Sequence, residues 1–294
     1  MEVMIQAILN GILMGGIYGA TALGLTLIFG VLKIINFAHG SLLMVGMFLS
    51  YYLVTLTKMN PYLAILFIAP VLFFFGYYIQ QFLVKPVFES EHDVREPIGV
   101  IILTTGLWFA LENIAILFFG AEYKMAQTTV GSKSFIIGEY IINGPRLYAF
   151  IISFAMAGLL HVFLKYTWMG KAIRSVSLDR ETAKLMGIKP YNIFNIAFGI
   201  GTMIAGISGA ILIPFYYVFP TVGVPFDNRA FVIVVLGGLG SIPGAMLGGV
   251  IIGVIESVAS QFIMTSWTEA LIFVIFITLL FVKPAGLFGL KQDW

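Results

Sequence analysis

The sequence predicts an all-α, polytopic membrane protein of about eight spanning helices with additional broken or re-entrant segments. Three observations predict it. The chain of 294 residues is 60% hydrophobic and only 10% charged, with a mean hydropathy of +1.01, whereas soluble domains carry about 25% charged residues. Such a chain cannot present an ordinary water-facing surface, so lipid must cover much of it. Apolar runs of bilayer-spanning length, about 20 residues each, recur along the sequence. The charge that is present collects in one stretch, Lys165 to Pro190, which carries Lys165, Lys171, Arg174, Arg180, Lys184 and Lys189 against Asp179 and Glu181. The length suits one polytopic domain spanning residues 1–294, with no room for a soluble one beside it.

Taken in order, Val3 to Ala22 reads as a first spanning helix. Its start has neither the basic n-region nor the cleavage pattern of a signal peptide. Gly11, Gly15 and Gly19 make two successive G-x-x-x-G units, a face for close helix packing or for lining a path. Leu23 to Ile35 is short and ends near Lys33. Asn36, His39, Gly40 and Ser41 then place polar and flexible residues at membrane depth before Leu42 to Leu56. Irregular polar backbone is tolerated there when buried in protein or lining a cavity, so a re-entrant turn is expected near residues 33–40. His39 is a packing residue or part of a path. Tyr62 to Val84 spans next, followed by a charged loop, Lys85 to Glu96. Ile98 to Phe119 spans again, with Glu112 and Asn113 inside it. Gly120 to Pro145 is a second loop with β-type patches such as SFIIGEYII, placed outside. Leu147 to Leu164 returns to the basic loop, which the positive-inside rule puts in the cytoplasm.

Within that loop one short helix is expected, Arg180 to Met186. Asp179 is its N-cap and Gly187 its left-handed terminator. Ala183, Met186 and Gly187 share one face, suited to insertion into a groove on another protein. The plainer reading is a solvated loop. Tyr191 to Val218 follows, breaking near Pro214, and Pro220 to Arg229 reads as a polar turn. Two simple spans after it would leave Lys283 and Lys291 outside, against the charge rule. The conflict disappears if Ala230 to Gly240 enters the membrane partway, turns at Gly237 to Gly244 (Gly237, Gly238, Gly240, Ser241 among its chain breakers) and leaves through Ala245 to Ser260. Ala270 to Val282 is the last span. The pattern suggests two like-oriented repeats, Val3 to Val84 and Tyr191 to Val282.

The chemistry that is missing narrows the function. The chain has no cysteine, which excludes disulfides, thiolate metal sites and Cys catalysis. Net charge is +2, too small to argue for nucleic acid. There is no phosphate-binding loop: Gly170-Lys171 lacks the upstream glycine and the following Ser/Thr, so the chain carries no ATP or magnesium site of its own. Gly206-Ile207-Ser208-Gly209 has the G-x-S-G form of an intramembrane serine protease, which needs a histidine base in reach. A small-residue helix face is the simpler account. A passive solute channel is the competing class, although no acidic ring or carbonyl filter sequence is present.

Four stretches resemble one family. MGKAIRSVSLDRETAKLMGI resembles the cytoplasmic coupling loop of ABC importer permeases, above all those of the branched-chain amino acid family, at Gly170, Lys171, Ala172, Asp179, Ala183, Gly187 and Ile188. Gly24 to Gly46, with Asn36, Ala38, His39 and Gly40, resembles that family's N-terminal signature. Val234 to Gly253 resembles its Gly-rich block, and KPAGLFG at Lys283 its C-terminal end. The resemblance implies a permease subunit in the cytoplasmic (inner) membrane of a bacterium or archaeon. It implies a second permease subunit as partner, alike or different, two cytoplasmic ABC ATPases that bind ATP and magnesium, and a periplasmic or lipid-anchored solute-binding protein. Coupling would fall to Arg174, Asp179, Ala183, Gly187 and Ile188. The path would involve Asn36, His39, Gly40, Gly237, Gly238, Gly240 and Ser241. The substrate would be leucine, isoleucine or valine, or, within the same family, urea, short amides or aromatic acids.

Overall fold

A computed structural model describes residues 2–90, 98–126, 128, 131, 133–283 and 286–288. Glu96 and Lys291 lie outside these residues. The helices are α1 (Glu2–Leu32), α2 (His39–Thr57), α3 (Pro61–Ile79), α4 (Lys85–Ser90), α5 (Ile98–Phe119), α6 (Gly144–Tyr166), α7 (Trp168–Leu178), α8 (Arg180–Leu185), α9 (Pro190–Leu212), α10 (Gly223–Gly237), α11 (Ile242–Ala259) and α12 (Thr265–Val282). A π-helical turn, Gln80–Val84, joins α3 to α4 without a break. The sheet among the described residues is one antiparallel hairpin, β1 (Ser134–Ile137) with β2 (Tyr140–Asn143), in register Ser134 to Asn143. Seven of the described helices are long and apolar enough to cross a membrane, and α12 adds a shorter apolar one. The chain is an all-α polytopic membrane protein.

Packing separates a central pair of helices from a lipid-facing ring. The most apolar windows of α1 and α9 are 83% buried, those of α3, α5 and α6 only 28%. Glycine makes the central contacts possible. On α1, a Cβ at Gly11 would lie 2.7 Å from the Gly253 carbonyl oxygen, one at Gly15 2.6 Å from that of Gly249, and one at Gly24 2.6 Å from that of Gly201. Backbones that close admit no side chain, which is what the small-residue motif provides.

These contacts also fix directions. Gly11 meets Gly253 and Gly19 meets Met246, so α11 runs antiparallel to α1. Gly76 meets Thr202 and Phe88 stacks edge-on against Phe194, so α3 and α4 run antiparallel to α9. The hairpin marks one end of the bundle, where Gln6 donates to the Ile141 carbonyl at 2.8 Å and the Tyr62 hydroxyl donates to the Pro145 carbonyl at 3.2 Å. The basic helices α7 and α8 mark the other. Helix α1 therefore runs from the hairpin end to the basic end, and α9 runs back. The halves they lead are inverted rather than like-oriented. An inverted repeat is what a chain gets when corresponding helices enter from opposite sides.

Several boundaries differ from the sequence expectation. Helix α1 does not stop at Ala22 but continues to Leu32, about 46 Å in all, because Gly24 seats it on α9 and no breaker intervenes. It ends at Lys33, whose φ is +58°. Lys85–Ser90, expected as loop, is helical. The basic stretch holds two helices. The additional one, α7, is amphipathic: Gly170, Ala172, Ile173 and Val176 are buried and the Thr167 hydroxyl caps it by accepting from Gly170 N–H. The stretch read as a polar turn, Pro220 to Arg229, instead contains the first two turns of α10.

Candidate functional site

Two of the helices begin in the middle of the bundle. Helix α10 runs beside α1 from Tyr18, which meets Phe226 edge-to-face at 6.0 Å, to Gly30, where a Cβ would lie 3.2 Å from Gly240 Cα. It thus accompanies only the second half of α1, from mid-depth to the basic end. Helix α2 begins level with Thr21, whose carbonyl lies 2.9 Å from His39 Nε2, and runs to the hairpin end, where Phe48 stacks on Phe119 at 4.6 Å. The starts of these two helices meet. A Cβ on Gly40 would lie 2.5 Å from the Gly223 carbonyl oxygen and 2.8 Å from Asp227 Cβ.

The residues at this junction are polar and fully enclosed. Asn36 and His39 are 0% exposed, Ser41 2% and Asp227 9%. The Asn36 side-chain oxygen accepts from Ala38 N–H at 3.1 Å, holding the chain in the turn that delivers α2. The Asp227 side chain lies against the first turn of α2 at Gly40, where free backbone donors collect. Asn36 Nδ2, His39 Nδ1, Ser41 Oγ and Asp227 Oδ1 have no partner among the described residues. Unsatisfied polar groups at this depth cost several kcal/mol each in hydrocarbon. Helix starts facing each other at mid-depth are where solute transporters place their sites. Sequence reasoning singled out Asn36, His39 and Gly40 but missed Gly223 and Asp227.

The Gly237 to Gly244 segment lies elsewhere. Gly238 and Gly240 have φ of +97° and +86°, so the turn needs glycine at both. It sits at the basic end, level with Gly30, and Leu287 N–H and Phe288 N–H donate to the carbonyls of Leu236 and Gly237 at 2.8 and 3.1 Å. The Ser241 hydroxyl caps α11 by accepting from Gly244 N–H at 3.1 Å. The structure does not bring Gly237, Gly238, Gly240 and Ser241 to the junction with Asn36, His39 and Gly40.

At the basic end, Asp179 accepts from Glu181 N–H at 2.9 Å, from Thr182 N–H at 3.1 Å and from the Thr182 hydroxyl. The hydroxyl and these N–H groups hold its carboxyl below the usual carboxylate range. Gly187 has φ +82°, and Ile188 N–H closes on the Ala183 carbonyl at 3.1 Å. Ala183 is 1% exposed: it packs inward on its own chain, so it offers no surface to a partner. Leu178, Leu185 and Met186 do, at 82, 87 and 78% exposed. Arg174 is exposed, its guanidinium reaching the Lys165 carbonyl at 3.4 Å. Arg180, which sequence reasoning counted only as charge, anchors the hairpin of helices. It donates to the Tyr191 hydroxyl at 2.6 Å and stacks among Phe88, Tyr191 and Phe194 at 4.9–5.5 Å from their ring centres.

The protease constellation is not assembled. Ser208 donates to the Ile204 carbonyl at 2.9 Å, and His39 turns to Thr21. Among the described residues no three His, Cys, Asp or Glu side chains converge as a metal site.

An inverted bundle in which two helices start head to head in its middle, with a basic helical pair at one end, has the form of a solute permease. The family described as branched-chain amino acid transport system, permease component, matches residues 7–280, and the chain belongs to it. It is 30% identical to the high-affinity branched-chain amino acid transport system permease protein LivH of Salmonella typhimurium, over 97% of this chain and 95% of that protein. It is 29% identical to the corresponding BraD protein of Pseudomonas aeruginosa, with the same coverage. A probable LivH of Methanocaldococcus jannaschii is 28% identical over 93% of this chain and 88% of its own.

Proposed function

We propose that this chain is the membrane-spanning permease subunit of an ATP-driven ABC importer for leucine, isoleucine and valine, multi-pass in the cytoplasmic membrane of a bacterium or archaeon. The junction of Gly40 with Gly223 and Asp227 carries the reading: two helices begin head to head in the middle of the bundle beside the two most buried helices. The substrate class rests on the names of the relatives.

A second permease subunit, two cytoplasmic ATPases holding ATP and magnesium, and an external solute-binding protein complete the complex. The ATPases dock on α7 and α8, with Arg174, Asp179, Gly187 and Ile188 shaping the contact and Leu178, Leu185 and Met186 filling it. A docked element can pass on a bias only if it is tied to something with two arrangements. Arg180 supplies that tie, joining α8 to the start of α9. Helix α9 in turn packs on α1, α2 and α3, so displacement at the basic end reaches the junction through one rigid helix. No step of ATP chemistry falls to this chain.

The test is ATP-dependent uptake of labelled leucine into proteoliposomes holding the full complex, wild type against Gly187→Arg. The reading predicts uptake that needs ATP and the binding protein, and an assembled but inactive variant. Equal uptake without ATP would mean a channel. Uptake of urea but not leucine would keep the mechanism and change the substrate.

A further inference from the structure

Each half of the bundle breaks between its first two helices, at residues 33–38 after α1 and 213–222 after α9. The two breaks are covered differently. The second is bridged by the chain itself: Lys124 and Val218 exchange backbone hydrogen bonds at 2.9 and 2.7 Å, and Val218 is fully buried. The first has no such bridge among the described residues. It runs from the end of α1 back to His39, level with Thr21, so it retraces about 16 Å of α1. Its side chains alternate as they do along a strand: Lys33 and Ile35 are exposed, Ile34 and Asn36 are buried, and Phe37 is half-buried. Among the described residues no acceptor meets the N–H groups of Ile34, Ile35 or Asn36. The segment is an open backbone edge within the spanning part of the protein.

The edge belongs to a larger face. Phe37 N–H donates to Thr104 Oγ1 of α5 at 3.4 Å, and the Phe37 ring lies 5.4 Å from that of Phe231 on α10. From there the face follows α10, where Asn228, Phe231 and Val235 share one side at i, i+3 and i+7 and are exposed or half-buried. It ends at Leu239, 51% exposed, in the turn that meets Gly30 of α1. Lipid cannot cover this face. Hydrocarbon offers nothing to free N–H groups, and irregular backbone is tolerated at this depth only when buried in protein or beside water. Water alone cannot cover it either, because a water-filled space here needs a wall on its far side, and only another membrane-spanning chain can be that wall. Helix α3 gives the contrast: it exposes Leu63, Leu66, Phe67, Val71 and Phe74 on helical backbone, which lipid accepts.

We propose that this face, Lys33 to Phe37 together with the outward side of α10, is where the chain meets the second permease subunit. This rests on the importer reading and adds the surface through which the two permeases pair. Ile35, Phe231, Val235 and Leu239 supply the packed part of the contact. The partner brings hydrogen-bond acceptors to the N–H groups of residues 34–36, directly or through bound water. Where the second subunit is a copy of this chain, twofold symmetry sets this face against itself. The same segment delivers His39 and Gly40 to the junction, so a shift between the two permeases bears directly on the start of α2.

The test is photocrosslinking of the complete complex in lipid nanodiscs, run beside ATP-dependent uptake. The photoreactive residue p-benzoylphenylalanine replaces Ile35, Asn228 or Leu239 singly, and Phe67 or Phe74 of α3 for comparison; all five positions are exposed, so the probe needs no repacking. Mass spectrometry identifies what each probe captures. Probes at Ile35, Asn228 and Leu239 should capture the second permease subunit at least tenfold more than those at Phe67 and Phe74, which should capture lipid. A variant at Ile35, Asn228 or Leu239 that purifies folded but without the second permease, beside intact α3 variants, would also support the surface. Capture from this face of residues 91–97 or 289–294 of the same chain, of an ATPase or of lipid alone would overturn it, as would permease adducts formed mainly from α3. ATP-driven uptake by wild type would in those cases leave the importer reading standing. Absence of ATP-driven uptake by wild type would overturn the importer reading, and this surface with it.

Discussion

Alanine at Gly40 tests whether the meeting of α2 and α10 matters for transport. Its methyl carbon would stand 2.5 Å from the Gly223 carbonyl oxygen, 2.9 Å from the Gly223 carbonyl carbon and 2.8 Å from Asp227 Cβ. Ordinary contact needs roughly 3.5 Å or more, so the helix starts must part by about 1 Å. Backbone lies on the far side of the contact, so no flexible side chain can yield. Overpacking of this kind costs about 1–3 kcal/mol. Gly158 in α6 is the control, since a Cβ there meets nothing within 4 Å. Gly158→Ala should be neutral or gain up to about 1 kcal/mol from helix propensity. Denaturation in mixed micelles reads the stability and ATP-dependent uptake reads function. Gly40→Ala should lose stability by the stated amount and most of its uptake. Wild-type stability and uptake in Gly40→Ala would refute the idea that the junction is tightly closed and works as a unit.

Further outcomes follow from other parts of the molecule. Gly187→Arg adds a residue where φ is +82° but the space is open, so strain of about 1–2 kcal/mol falls on α8 alone; protease mapping should find the protein inserted while uptake is lost. Asp179→Ala should raise amide exchange across residues 180–186, and Asp179→Asn, also a good cap, should not. Because the Asp179 carboxyl is held low, the cap's contribution is fully present above the unfolded carboxylate range, near 4, and is lost as pH falls through the lower folded value; the α8 exchange pattern should therefore be flat from pH 5 to 8. Asp227→Leu puts a branched side chain against the Gly40 backbone and should cost about 1–3 kcal/mol by overpacking in the same micelle assay, with the near-isosteric Asp227→Asn closer to wild type. Ser208→Ala should transport as wild type does, since that hydroxyl only bonds back within its own helix; loss of activity there would reopen the protease reading.

The apolar runs announced most of the helices, because a bilayer demands length and hydrophobicity that a sequence displays openly. The basic stretch announced α8 and its ends, because Asp179 and Gly187 act through bonds to their own neighbours. Helix α7 was hidden: its apolar residues are interleaved with Lys171 and Arg174, and charge masked the period. The stretch from Pro220 to Arg229 was misread for a related reason. Proline, asparagine and charge look like a loop, and only burial against α1 and α2 makes Gly223 to Arg229 the start of a helix within the bundle.

What the sequence determined by itself is local or compositional: an all-α membrane protein, its spans, its basic loop and the family it belongs to. What the tertiary structure decided is which distant residues meet. Asp227 reaches Gly40 from the other half of the chain, Ala183 turns inward, and Arg229, Glu256 and Glu269 come together from three helices. Opposite orientation of the two halves was equally out of reach of hydropathy, which reports depth but not direction. The physical reason is common to all of these. Propensity, capping and hydropathy act within a turn or a span, whereas helix starts and ion pairs are joined by packing, and packing in this bundle is set by the glycine contacts of α1 with α9 and α11.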